Sequence, residues 1–287
     1  MKTLLITGGS GYIGTHLRSH FKTKYKILSP SHKELDLCDS QAVSAYFKRH
    51  HIDFVVHAAV VGGSRDEEMV VGSVERNIRM FYNLEKCKNY YSKFIQLGSG
   101  AEYDKSRSMH KIKESEFGKH IPKDSYGLSK YIIGQSIETS THKFVNLRLF
   151  GMFGFGEDYR LRFISNMLVR KILHKSLIIR QNAVFDYMYI KDFVKIVRYF
   201  IEHTGKYRSY NIGTGSELTL LEIAKKINRM ADSPEKISVL KKGFNREYTC
   251  DSSRLMKEFG NMRFTPFDVS LRELYDQYIS NKTVLVL

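Results

Sequence analysis

The chain has no tryptophan, four prolines and three cysteines in 287 residues, and each scarcity excludes something. Cys38, Cys87 and Cys250 lie far apart and match no zinc-ligand spacing. Neither a disulfide framework nor a metal site is expected, and the thiols should be reduced and structural. So few prolines, and no low-complexity tract, argue against a flexible linker, and no internal repeat is visible. No apolar run approaches the roughly 18 residues that a membrane span needs. Met1–Ile6 is too short for the apolar core of a secretory signal, so a cytoplasmic protein without membrane contact is expected. Lys and Arg number 46 against 30 Asp and Glu, a formal net charge of +16. These cations are scattered over every predicted helix and form no stripe, so nucleic-acid binding is not expected. The surplus suits small polyanions such as nucleotide diphosphates instead.

What the chain does have begins at its start. Leu4-Leu5-Ile6 runs straight into Thr7-Gly8-Gly9-Ser10-Gly11-Tyr12-Ile13-Gly14 and then into a helical pattern. Strand, glycine turn and helix in that order let backbone N–H groups and the positive end of a helix approach a pyrophosphate with no Cβ in the way. Gly8, Gly11, Tyr12, Ile13 and Gly14 are therefore candidate residues of a dinucleotide site. Apolar runs at 2–7, 25–29, 53–57, 93–98 and 144–149 read as strands, with helices near 12–22, 40–50, 72–90 and 126–140 between them. Repeated β-α-β units predict a doubly wound parallel sheet whose ligands gather at the carboxyl ends of the strands.

The alternation breaks after Phe150. A dinucleotide-binding domain over 1–155, with return segments at 187–215, is expected beside a smaller, mostly α-helical C-terminal substrate lobe made of 156–186 and 216–287. Helices are predicted near 218–231, 252–259 and 269–280, with the substrate in the cleft.

Three Y-x-x-x-K matches occur, at Tyr82/Lys86, Tyr126/Lys130 and Tyr187/Lys191, so position must decide among them. Only Tyr126 and Lys130 stand at the start of a helix between two predicted strands, where i and i+4 side chains share a face. A tyrosine is a poor acid/base at neutral pH, and a nearby ammonium favours its phenolate. Ser99, just past a strand end, is placed to donate to a carbonyl oxygen. Ser99, Tyr126 and Lys130 together form a reductase or dehydrogenase triad.

These motifs, with His57-Ala58-Ala59, Asn77, Arg148-Leu149-Phe150 and Asn211-Ile212-Gly213-Thr214-Gly215 in the same order, resemble the extended short-chain dehydrogenase/reductases that modify nucleotide sugars. The similarity spans nearly the whole chain and looks nearest to the GDP-fucose synthase-like 4-ketosugar reductases. The resemblance implies a Rossmann-type sheet, Asp36 and Leu37 flanking the adenine, Ala58 and Ala59 lining the cofactor groove, Lys130 also holding the nicotinamide ribose, and a homodimer.

Departures from the family narrow the chemistry. GDP-fucose synthases epimerise C3 and C5 with a cysteine two residues after the serine and a histidine early in the substrate lobe. This chain has Ala101 at the first position and no histidine in 158–163. The 4,6-dehydratases place Asp-Glu directly after the Ser/Thr, where Gly100-Ala101 stands here. The family's arginine before the aspartate of the return segment is replaced by Phe185 before Asp186, so Arg162, Arg180 or Arg246 is expected to clamp a diphosphate instead. After the second strand, Ser31, His32 and Lys33 replace the acidic residue that binds a ribose 2′-hydroxyl, favouring NADP(H), while Glu34 leaves NAD(H) open.

The expected function is NADP(H)-dependent reduction of the 4-keto group of a nucleotide-activated deoxyhexose or heptose for a surface polysaccharide. The alternatives are a 4-dehydrogenase, a 4-epimerase with tightly held NAD, and a non-catalytic cofactor-sensing protein on the same fold.

Overall fold

The apolar runs of the first half carry no polar alternation because both faces of their sheet are covered. Residues 3–7, 54–57 and 144–149 are buried at every position in the structure, a computed structural model. It describes all residues except 64–69, 141–142, 232 and 261. In chain order the elements are β1 (Thr3–Thr7), α1 (Tyr12–Phe21), β2 (Lys26–Leu28), α2 (Ser40–Arg49), β3 (Phe54–His57), α3 (Ser73–Lys86), β4 (Lys93–Ser99), β5 (Met109–Ile112), α4 (Ser125–Glu138), β6 (Phe144–Leu149) and β7 (Gly151–Phe153). They continue as α5 (Phe163–Ile172), β8 (Leu177–Asn182), β9 (Val184–Phe185), β10 (Tyr187–Tyr189), α6 (Ile190–Glu202), β11 (Ser209–Ile212), β12 (Leu218–Thr219), α7 (Leu220–Asn228), β13 (Ile237–Phe244), β14 (Tyr248–Cys250), α8 (Ser253–Phe259) and α9 (Phe267–Ser280).

The chain forms two compact units, one of residues 1–106, 113–149 and 193–212, the other of 107–112, 150–192 and 213–287. In the first, six strands lie in the order β11-β6-β4-β3-β1-β2, all parallel. From β1 the chain steps outward to β2 and returns on the other side of β1 as β3, so the strand order reverses between β1 and β3. That switch point opens a crevice at the carboxyl ends of the two strands. Phe47, Phe81, Phe94, Phe144, Ile133 and Ile137 belong to one buried cluster that joins the sheet to its covering helices. The Phe94 and Phe144 rings lie 4.9 Å apart.

In the second unit the helices expected from the sequence are present as α7, α8 and α9, and eight strands accompany them. Four lie in the order β12-β9-β14-β5, and the other four form the pairs β10-β7 and β13-β8. Several of these strands, which the sequence reading did not include, are two or three residues long, too short to show a period of two. Of the predicted return segments, Ser209–Ile212 pairs with β6 in the main sheet. Tyr187–Tyr189 pairs instead with Gly151–Phe153 inside the second unit. Gly151 permits that pairing, since a Cβ there would meet Tyr187 Cδ1 at 2.8 Å. The fully buried Asp186 knots the same region, accepting from Thr214 N (2.8 Å), Thr214 Oγ1 (2.7 Å) and Gly215 N (2.8 Å).

Truncating Phe94 to alanine should lower the unfolding free energy by about 3–5 kcal/mol, the usual cost of an aromatic-sized cavity. Urea unfolding followed by circular dichroism checks this; a loss within error of zero would mean that the cluster is not a cooperative core.

Candidate active site

The glycine turn sits at the switch point and is built by backbone contact. Gly8 has a φ of +65°, and a Cβ on it would meet Ala59 N at 2.6 Å and Ala58 C at 2.8 Å. The turn after β1 therefore lies directly on the segment after β3, which places Ala58 and Ala59 beside the glycines. Gly14 passes so close to Gly8 O that a side chain there has no room, and Gly11 N donates to Gly8 O at 3.1 Å. Gly11 is the N-cap of α1, where no side chain caps the helix and no acid stands in the first turn. A cradle that any Cβ would fill, beneath an uncapped positive helix end, fits the diphosphate of a dinucleotide.

The loop after β2 is arranged differently from its sequence reading. Lys33 is exposed, but Ser31 N donates to Glu34 Oε2 at 2.7 Å, and that bond holds the Glu34 carboxyl below its usual range. Asp36 accepts from Cys38 N at 2.9 Å, and Leu37 turns its side chain into the core cluster. Arg18 is a residue that the sequence reading missed. Its Nη1 donates to Gly9 O at 3.3 Å, which sets a guanidinium beside the glycine turn. The signal was its position one turn after Gly14, because helical side chains lean toward their own N-terminus.

Ser99, Tyr126 and Lys130 all belong to the first unit. Ser99 ends β4 and caps a 3₁₀ turn, Gly100–Tyr103. Its Oγ accepts from Ala101 N at 3.1 Å, which leaves the hydroxyl proton for another acceptor. That turn rests on the first turn of α4, where Asp124 caps Gly127 N at 2.9 Å and a Cβ on Gly127 would meet Ala101 O at 2.8 Å. Tyr126 is half-buried, with Gly63 against its ring: a Cβ there would meet Tyr126 Cε2 at 2.9 Å. Lys130 is buried, donates to Leu97 O at 2.6 Å and lies 5.9 Å from the Tyr126 ring centroid. Burial lowers the Lys130 ammonium to about 8, with Glu102 opposing the fall.

His57 closes the floor of the site. Burial, then the Lys130 charge, pushes it down to about 3, so it is neutral. Thr7 Oγ1 accepts from Ala59 N (3.3 Å) and contacts His57 Nδ1 (2.7 Å), a chain that is satisfied when Thr7 donates to Nδ1 and Nε2 carries the ring proton. Asn77 is a brace: its amide bonds both polar backbone atoms of Val61 and Ser129 Oγ on α4.

Arg162, Arg180 and Arg246 are all exposed and all in the second unit, at the N-cap of α5, on the outward face of β8 and just before β14. Phe185 stacks on Tyr187 at 5.5 Å. Among the described residues one group of three, His110, Glu217 and Glu247, brings metal-ligand atoms within 4.8 Å of one another. Lys111 Nζ, 3.3 Å from Glu217 Oε1, already supplies a cation there.

A parallel sheet with a glycine cradle at its switch point, and a serine, a tyrosine and a buried lysine on neighbouring elements, define an NAD(P)-dependent enzyme of the extended short-chain dehydrogenase/reductase type. The chain belongs to the NAD dependent epimerase/dehydratase family, whose sequence pattern matches residues 4–213. It is 25% identical over 251 residues to GDP-L-colitose synthase of Yersinia pseudotuberculosis, a match covering 79% of this chain and 81% of that one. Among solved structures, a GDP-L-fucose synthetase of Naegleria fowleri bound to NADP has a TM-score of 0.85 at 15% identity, covering 99% of this chain and 94% of that one. A GDP-mannoheptose C4 reductase of Campylobacter jejuni with NADP bound has a TM-score of 0.84 at 18% identity, covering 97% of this chain and 98% of that one. At such identities the structural likeness is one of fold.

Replacing Gly8 by valine should cost about 1–3 kcal/mol through overpacking against the β3 segment. It should also weaken dinucleotide binding, read by quenching of intrinsic tyrosine fluorescence. Unchanged affinity in a folded variant would remove the cradle from the site.

Proposed function

We propose that the protein is an NADP(H)-dependent reductase of the 4-keto group of a nucleotide-diphosphate sugar, a deoxyhexose or heptose used in surface-polysaccharide synthesis. The observation that carries this reading is the triad of Ser99, Tyr126 and Lys130 on neighbouring elements of one unit, with Ala101 two residues after the serine. Ser99 keeps its hydroxyl proton available and polarises the carbonyl oxygen. Tyr126 delivers the proton to that oxygen, and the Lys130 ammonium stabilises the phenolate left behind. NADPH, when bound, supplies the hydride. Epimerisation at C3 or C5 would need a base on one face of the sugar and an acid on the other, and the buried Ala101 provides neither. A relative named for a GDP-linked sugar, GDP-L-colitose synthase, supports the substrate class. Arg18 and the exposed Lys33 support NADP(H), and Arg246 is the first candidate for the substrate diphosphate.

Incubation of 4-ketosugar nucleotides with the enzyme and 4-deuterated NADPH in ordinary water should place deuterium at C4. With unlabelled NADPH in heavy water, C3 and C5 should stay unlabelled. Solvent deuterium at either carbon would overturn the single-step reductase. Inversion at C4 without added cofactor would establish the 4-epimerase instead. Tyr126→Phe should cut turnover about 10²-fold or more while leaving NADPH affinity nearly unchanged.

Cofactor choice has its own test. Lys33→Glu and Arg18→Ala should each reduce the preference for NADPH over NADH by about 1–2 kcal/mol, the scale of a lost charged hydrogen bond. Equal loss for both cofactors, measured by titration, would place these side chains away from the 2′-phosphate.

A further inference from the structure

Behind Ser99 lies a carboxylate that the triad does not account for. Glu102 is fully buried, three residues after Ser99 on the same 3₁₀ turn. Its Oε1 accepts from the backbone N of Ser99 itself at 3.0 Å. Its Oε2 accepts from Arg148 Nε at 2.7 Å and Asn146 Nδ2 at 2.9 Å. Two glycines make the space it occupies. A Cβ on Gly98 would run into Oε1, and one on Gly134 would stand 2.6 Å from Oε2. Gly134 is on α4, one turn beyond Lys130 and on the same face, so the carboxylate is inserted against the part of the helix that carries the lysine.

We propose, resting on the triad reading above, that Glu102 is the positioning residue of the reaction centre: a single buried carboxylate that fixes the turn bearing Ser99 and supplies the counter-charge for Lys130. The arrangement leaves it no part in proton transfer to a sugar, since its oxygens are committed to Ser99 N, Arg148 and Asn146. Among the described residues the charged and titratable groups around the pair are few. Lys130 is faced by neutral His57 from β3, by Tyr126 on its own helix and by Glu102 from the turn after β4. Glu102 is faced by Arg148 from β6, whose far side is bound by Glu138 at 3.0 Å, and by Tyr103 beside it, which Glu114 also influences. Among the described residues Glu102 is the group that brings a negative charge to Lys130. Without it, burial favours the neutral amine.

The test reads Lys130 directly. In protein carrying 13Cε-labelled lysine, the Lys130 resonance is identified by its loss in Lys130→Met and followed against pH. In Glu102→Gln it should titrate about one pH unit lower than in the wild type, the effect of losing a close opposite charge. The alkaline fall of kcat/KM should move down by the same amount, and Glu102→Asp should restore part of it. Removing one partner of a buried pair can prevent folding, so Gly134→Ala provides a second arm: it keeps both charges but pushes Oε2 away from α4, and should shift the Lys130 titration the same way by a smaller amount. An unchanged Lys130 titration in the folded variants overturns the proposal. The resonance needs no substrate, so a wild type that fails to reduce 4-ketosugars would sink the reductase reading while this result stood or fell separately.

Discussion

A guanidinium without water holds the middle of the first unit together. Arg148 is fully buried in β6, and an arginine cannot shed its charge to relieve the cost. Each nitrogen of its fork therefore has a partner. Nε reaches Glu102, Nη1 reaches Tyr103 Oη at 3.3 Å and Ser209 Oγ at 3.0 Å, Nη2 reaches Glu138 at 3.0 Å, and the plane lies 4.0 Å from the Phe117 ring centroid. These partners come from the turn after β4, from β11, from the end of α4 and from the segment before it. A buried pair of this kind contributes little net stability compared with an apolar core, but leaving one member unpartnered is costly. The four elements are thereby held to one mutual arrangement, and Ser99 inherits its position from it.

The sheet, the glycine turn and the Tyr-Lys spacing were legible because each has a local signature: apolar runs separated by helical periods, glycines at fixed offsets, and a four-residue repeat on a helix. Glu102 was not legible. In the sequence it is one acid in a short loop, and its meaning comes from Asn146 and Arg148, more than forty residues away. The small sheets of the second unit escaped for another reason, since strands such as Val184–Phe185 and Leu218–Thr219 are defined by their partners and hold too few residues for a pattern. The loop after β2 shows the limit of residue type alone: Ser31 and Lys33 suggest a phosphate, and only the folded loop reveals that Glu34 takes the Ser31 N–H.

Two of the cationic side chains, Arg18 and Lys130, also gain a location. At the carboxyl edge of the main sheet, the free N-terminus of α1 and Arg18 raise the potential beside the glycine turn, and Lys130 adds a buried charge where α4 begins. Positive sources around a low-dielectric floor attract a polyanion more strongly than the same charges spread over an open surface. On the proposed reading, this is the edge to which an anionic cofactor is drawn.

The outermost strand β2 has three residues, and at the opposite edge the four-residue β11 is buried throughout. A sheet margin that short exposes few unpaired backbone groups, and Lys26 stands at the start of one of them. Neither margin offers the long, flat ladder on which a second chain could template itself. A parallel sheet this rich in valine, leucine, isoleucine and phenylalanine is therefore shielded, once folded, from growing into fibres at high protein concentration.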